Sequence, residues 1–166
     1  MNKVILKNLA VLSLILGLIL GSVAPIPYVG GIALTAMLIL AAPIVILLLI
    51  MAGKADLTSI KDSIIMGSSI GFFTNVTFSL GYCIVTALLF VIFKFTTNYV
   101  LSSMIVNSPV WLLIIVILFV SVLGAVTNAF SGLLTYYGLN FVRDMYERKH
   151  AKDINGEEKW QNLNQK

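Results

Sequence analysis

Four apolar stretches, each long enough to cross a lipid bilayer as a helix, constrain this chain more than any other feature. A helix spanning the hydrocarbon core needs about 20 mostly apolar residues. The first stretch runs over residues 5–24 and is interrupted near its start by Lys7 and Asn8. Pro25-Ile26-Pro27 ends it, because proline lacks an amide and clashes with the preceding turn. The second covers 28–52 and carries Pro43 inside, which predicts a kink near Ile39–Pro43. The third covers 63–93. The fourth covers 109–142 and opens on Pro109, a residue suited to a first helical turn.

Composition agrees with this division. Of the 166 residues, 59% are apolar and 11% are charged. Soluble domains have about 45–50% and about 25%. Mean hydropathy is +1.00. These values exclude an ordinary water-soluble fold, a disordered chain and a nucleic-acid-binding domain. The expected fold class is all-α: a polytopic membrane protein built as a bundle of four transmembrane helices. Residues 1–142 form the membrane domain and 143–166 a charged, mobile tail.

The last two stretches exceed the membrane's thickness. At 1.5 Å per residue, thirty residues extend about 45 Å against a core of about 30 Å. Such helices must project past the bilayer or break, and Gly81 and Gly124 are the candidate break points. Between them, residues 94–108 read as a polar, nearly uncharged connection. Before the third stretch, Asp56 or Thr58 is the candidate N-cap, with Asp62 in the first turns. The N-terminus has the outline of a signal peptide, but Pro25 follows Ser22-Val23-Ala24 and should block cleavage. An uncleaved anchor is expected.

Charge placement orients the chain. With the N-terminus in the cytoplasm, ten of the eleven basic residues lie inside, and only Lys94 lies outside. The positive-inside rule therefore puts both termini and the 53–62 loop in the cytoplasm. The net charge of +4 then reads as orientation and headgroup contact rather than nucleic-acid binding. Arg143, Arg148, Lys149 and Lys152 are the expected headgroup contacts. Trp111, Tyr28 and Tyr99 suit the outer interface and Tyr136, Tyr137 and Tyr146 the inner one. Trp160 suits contact with a membrane surface or a partner.

The spans carry no Asp, Glu, Arg or His at bilayer depth. Proton-coupled carriers place an ionisable group there. One cysteine, Cys83, rules out intrachain disulfides and cysteine metal clusters, and one histidine, His150, rules out HExxH zinc chemistry. No cofactor, metal site or catalytic group is expected.

Uncharged polarity remains. The third span reads Gly67-Ser68-Ser69-Ile70-Gly71-Phe72-Phe73-Thr74-Asn75-Val76-Thr77, with a GxxxG that lets backbones approach closely. The fourth carries Ser121, Gly124, Ala125, Asn128, Ser131, Gly132, Thr135 and Gly138 at spacings of three and four, a stripe on one face. Gly67, Gly71, Gly124 and Gly132 are the close-packing positions. Thr74, Asn75, Thr77, Asn128, Ser131 and Thr135 form the polar intramembrane face, available for helix packing or for a small ligand. Antiparallel packing would bring the amides of Asn75 and Asn128 to similar depth, where they would bond each other or nearby hydroxyls. The function that follows is a non-catalytic subunit, scaffold or assembly factor. Its partners would be the lipid bilayer and another membrane protein or a second copy. The alternative is a passive transporter, channel or lipid-handling protein with a polar path between helices three and four, working as an oligomer. The short loops and sparse cysteine fit a bacterial inner membrane.

Overall fold

The computed structural model describes residues 3–54, 57, 59–95 and 98–163, with side chains described from 5 to 149. Asp56 and Thr58 lie outside the described residues, as do the side chains of His150, Lys152 and Trp160. The described residues form five helices, four of them long and apolar enough to cross a membrane. Helix α1 is Lys3–Val23, α2 is Val29–Met51, α3 is Ile60–Ile92, α4 is Tyr99–Asn107 and α5 is Val110–Leu163.

Local chemistry sets most boundaries. Pro25 and Pro27 separate α1 from α2, and Tyr28, at φ 66, turns the chain into α2. Helix α2 is not uniform: residues Ala36–Leu40 widen into a π-helical turn just before Pro43. The widened turn overlaps the stretch where Pro43 predicts a kink. Helix α3 is capped by Ser59, whose Oγ accepts from the Asp62 N–H at 3.2 Å. The cap thus lies one residue beyond the Thr58 candidate. The connection over 94–108 is not irregular throughout. Asn98 caps α4 by accepting from the Leu101 N–H at 3.2 Å.

Neither long helix breaks at its glycine. Helix α3 runs 33 residues through Gly81, and α5 runs 54 residues through Gly124 into the charged segment. The segment expected as a mobile tail continues α5 as helix to Leu163.

The burial pattern is compatible with an apolar solvent. Fully buried positions include Ser13, Ser63, Thr74, Asn75, Ser121 and Asn128, while Phe119, Val126 and Phe130 on α5 are more than 60% exposed. In water this distribution would be costly. In lipid, which solvates leucine as well as another helix does, small and polar residues belong at helix contacts. Helix α3 packs along both α1 and α5. One apolar cluster joins Leu9, Leu49, Met66 and Ile70, with Tyr136 and Leu139 against it. A second, at the other end, joins Ala24, Ala33, Met37 and Phe78.

Candidate functional site

Helix α2 has two defects in its backbone ladder, side by side. Pro43 has no N–H to give the carbonyl four residues back, which is that of Ile39. The π turn over Ala36–Leu40 displaces the neighbouring pairings. Unsatisfied backbone groups at membrane depth cost several kcal/mol each, so these groups need partners from elsewhere.

Helix α5 supplies them. The Ser131 hydroxyl donates to the Ile39 carbonyl. The Ala42 N–H donates to Asn128 Oδ1 at 3.0 Å, and Asn128 Nδ2 donates to the Met37 carbonyl at 3.2 Å. Asn128 Nδ2 also donates to Gly124 O of its own helix at 3.1 Å. Asn128 therefore uses both ends of its amide, and three of the contacts from these two side chains cross between helices.

Close approach of α3 and α5 frames this layer. A Cβ on Gly71 would overlap the Gly124 carbonyl, and one on Gly67 would overlap the Asn128 carbonyl. A Cβ on Gly132 would meet the Ser63 carbonyl, and the Ser63 hydroxyl donates to Gly132 O. The paired positions rise along α3 as they fall along α5, so the two helices run antiparallel. All four close-packing glycines singled out in the sequence face this contact.

The two asparagines approach the same backbone but do not share a hydrogen bond in the structure. The Asn75 side chain lies against Gly124, where a Cβ would overlap it. Its Nδ2 donates back to Gly71 O at 2.8 Å, and its Oδ1 has no partner among the described residues. Thr74 is wholly buried, and its Oγ1 likewise has no partner there. The Thr77 and Thr135 hydroxyls bond carbonyls of their own helices, Phe73 and Ser131. The six polar residues thus divide. Asn128 and Ser131 serve α2, Asn75 faces α5, Thr77 and Thr135 bond their own helices with Thr77 also against Gly17 of α1, and Thr74 Oγ1 has no partner among the described residues. Arg143, Arg148 and Lys149 lie exposed on α5, away from this layer.

Two features went unread in the sequence. Gly17 and Gly21 form a GxxxG in α1 that seats against the backbone of Thr74 and Phe78. The signal was the same motif noted in α3. Beneath α4 lies an apolar cavity of about 270 Å³, lined by Phe78, Tyr82, Cys83, Met104 and Ile117 among others. Its wall depends on α4, whose sequence signal was the capping Asn98.

No family model, no curated protein and no solved structure matches the chain.

Proposed function

We propose that this chain is a non-catalytic component of a membrane assembly, with both termini in the cytoplasm, that offers its fifth helix to a partner protein. The observation that carries the reading is α5 itself. It continues as one helix from the apolar segment through the charged segment to Leu163. A helix of 54 residues extends about 81 Å, against a hydrocarbon core of about 30 Å. Two of the polar groups that could have lined a path across the membrane, Asn128 and Ser131, instead hold the α2 backbone. What remains for recognition is the exposed length of α5, with its alternating charges around Arg143-Asp144 and Glu147-Arg148-Lys149.

The test is co-purification from native membranes into lipid nanodiscs. The full chain should bring down a stoichiometric partner, and a chain ending at Val142 should lose it while keeping its fold. A strictly monomeric, partner-free protein would refute the reading.

A second reading rests on Thr74 Oγ1 and Asn75 Oδ1, buried acceptors with no partner among the described residues. They suit a passive path between α3 and α5, in an oligomer of the chain. Flux through reconstituted vesicles, lost in Asn75→Leu without loss of fold, would favour it over the scaffold.

A further inference from the structure

The first turns of α1 and the last turn of α2 enclose a cleft of about 540 Å³. That size falls in the range of ligand pockets, about 300–1,000 Å³. Its lining is ordered along the helix axes. Lys7, Asn8 and Lys54 stand at one end, and Val11, Leu12 and Leu48 continue the wall away from them. The order follows from sequence: Val11 is one turn further into α1 than Lys7, and Leu48 lies in the last turn of α2, six residues before Lys54. Val11 and Leu48 are nearly half exposed, at 46% and 47%, so the apolar wall opens outward.

Lys54, just past the end of α2, is set in place by the helix end. Gly53, at φ 63, closes α2. Its N–H donates to Ile50 O at 2.9 Å, and the Lys54 N–H donates to Leu49 O at 2.9 Å. This paired closure holds the Lys54 backbone against the last turn. Among the described residues, the lining includes no carboxylate. The Asp62 carboxylate, nearby in sequence, accepts from the Ser59 hydroxyl at 3.3 Å. The positive end of the α1 dipole adds to the two ammonium charges.

We propose that this cleft is a binding site for an anionic phospholipid. The phosphate sits between Lys7 and Lys54, with Asn8 beside it, and an acyl chain lies along Val11, Leu12 and Leu48. A cationic mouth above an apolar wall matches an amphiphile with a negative head. A zwitterionic lipid brings its own cation toward the two ammoniums, and a free anion leaves the wall uncovered. The proposal goes beyond the scaffold reading and shares with it only the premise that the helices span a bilayer.

The test uses the full chain in nanodiscs of phosphatidylcholine mixed with phosphatidylglycerol, with retained lipid counted by native mass spectrometry. The expected result is one phosphatidylglycerol retained preferentially. Lys7→Gln or Lys54→Gln each lowers retention about fivefold, and the pair about thirtyfold, at about 1 kcal/mol per basic residue near the surface. Lys7→Arg and Lys54→Arg restore it, and Lys94→Gln leaves it unchanged. Equal retention of both lipids, or full retention by the double glutamine variant, overturns the proposal. So does displacement by inorganic phosphate alone, which would make the cleft a site for soluble anions. Failure to enter nanodiscs at all overturns the membrane premise as well.

Discussion

Asn75 and Asn128 are both wholly buried amides, and they answer different needs. Asn128 bonds the Ala42 N–H and the Met37 carbonyl across a helix contact. Among the described residues, Asn75 bonds only Gly71 O of its own helix. Truncating either to alanine removes the same volume, so the difference between the two variants reads the bonds. Asn128→Ala strands a buried N–H and a carbonyl and should cost about 1–3 kcal/mol more than Asn75→Ala. Unfolding in detergent micelles measures it, and equal losses would contradict the assignment. Gly124 gives a second test. A methyl there overlaps the Asn75 amide, whereas one on Gly71 overlaps the Gly124 backbone. Gly124→Ala should cost about 1–3 kcal/mol through overpacking. Asn75→Ala should relieve that cost, because it empties the space the methyl enters. It should not relieve Gly71→Ala, whose obstacle is main chain. A double-mutant cycle that shows no coupling between Gly124 and Asn75 would remove the contact from consideration.

Helix α2 is the element whose defects organise the rest. If Ser131 exists to satisfy the Ile39 carbonyl that Pro43 leaves open, its value must depend on Pro43. Ser131→Ala should cost about 1–3 kcal/mol in the parent chain. In a Pro43→Ala background residue 43 regains an N–H, and the cost of Ser131→Ala should fall below about 0.5 kcal/mol. An unchanged cost would mean that Ser131 contributes by packing alone. The sequence made part of this element readable. Pro43 announces a kink, and four apolar runs with their prolines announce four long helices. It did not reveal that Asn128 and Ser131 would repair the kink, because that pairing joins positions 86 to 92 residues apart. Periodicity along one helix shows which side chains share a face and is silent on which neighbour that face meets. The same gap explains the expected Asn75–Asn128 bond: the register that pairs Gly67 with Asn128 and Gly71 with Gly124, and the competing claim of α2 on Asn128, were both invisible. Helix α4 escaped notice for another reason. Its nine residues are too few for a periodic signal, and a single capping asparagine marks it.

At the scale of the whole molecule, burial and charge make separate arguments that meet in one orientation. The burial pattern, polar inside and large apolar side chains outside, suits lipid as solvent but has no sense of direction along the helix axes. The charges supply direction. Lys7 and Lys54 border one cleft, which places the start of α1 and the end of α2 at the same end of the molecule. The cluster joining Leu9 with Tyr136 and Leu139 brings the late part of α5 to that end too. Lys94 follows α3 at the opposite end, where the Ala24 and Phe78 cluster lies. Apart from Lys94, the described basic residues therefore gather at one pole, and that pole should face the cytoplasm. Cysteine mapping in a Cys83→Ser background checks it. An impermeant maleimide applied to intact cells should label Tyr99→Cys and leave Glu147→Cys unlabelled until the membrane is permeabilised. Val126→Cys, exposed on α5 in the apolar stretch, should resist labelling in both conditions. Labelling of Glu147→Cys but not Tyr99→Cys in intact cells would invert the molecule. It would also place the projecting end of α5, and with it the proposed docking surface, on the outside. Labelling of Val126→Cys would argue instead that α5 meets water along its length, and the lipid-facing reading of its exposed phenylalanines and valines would fall with it.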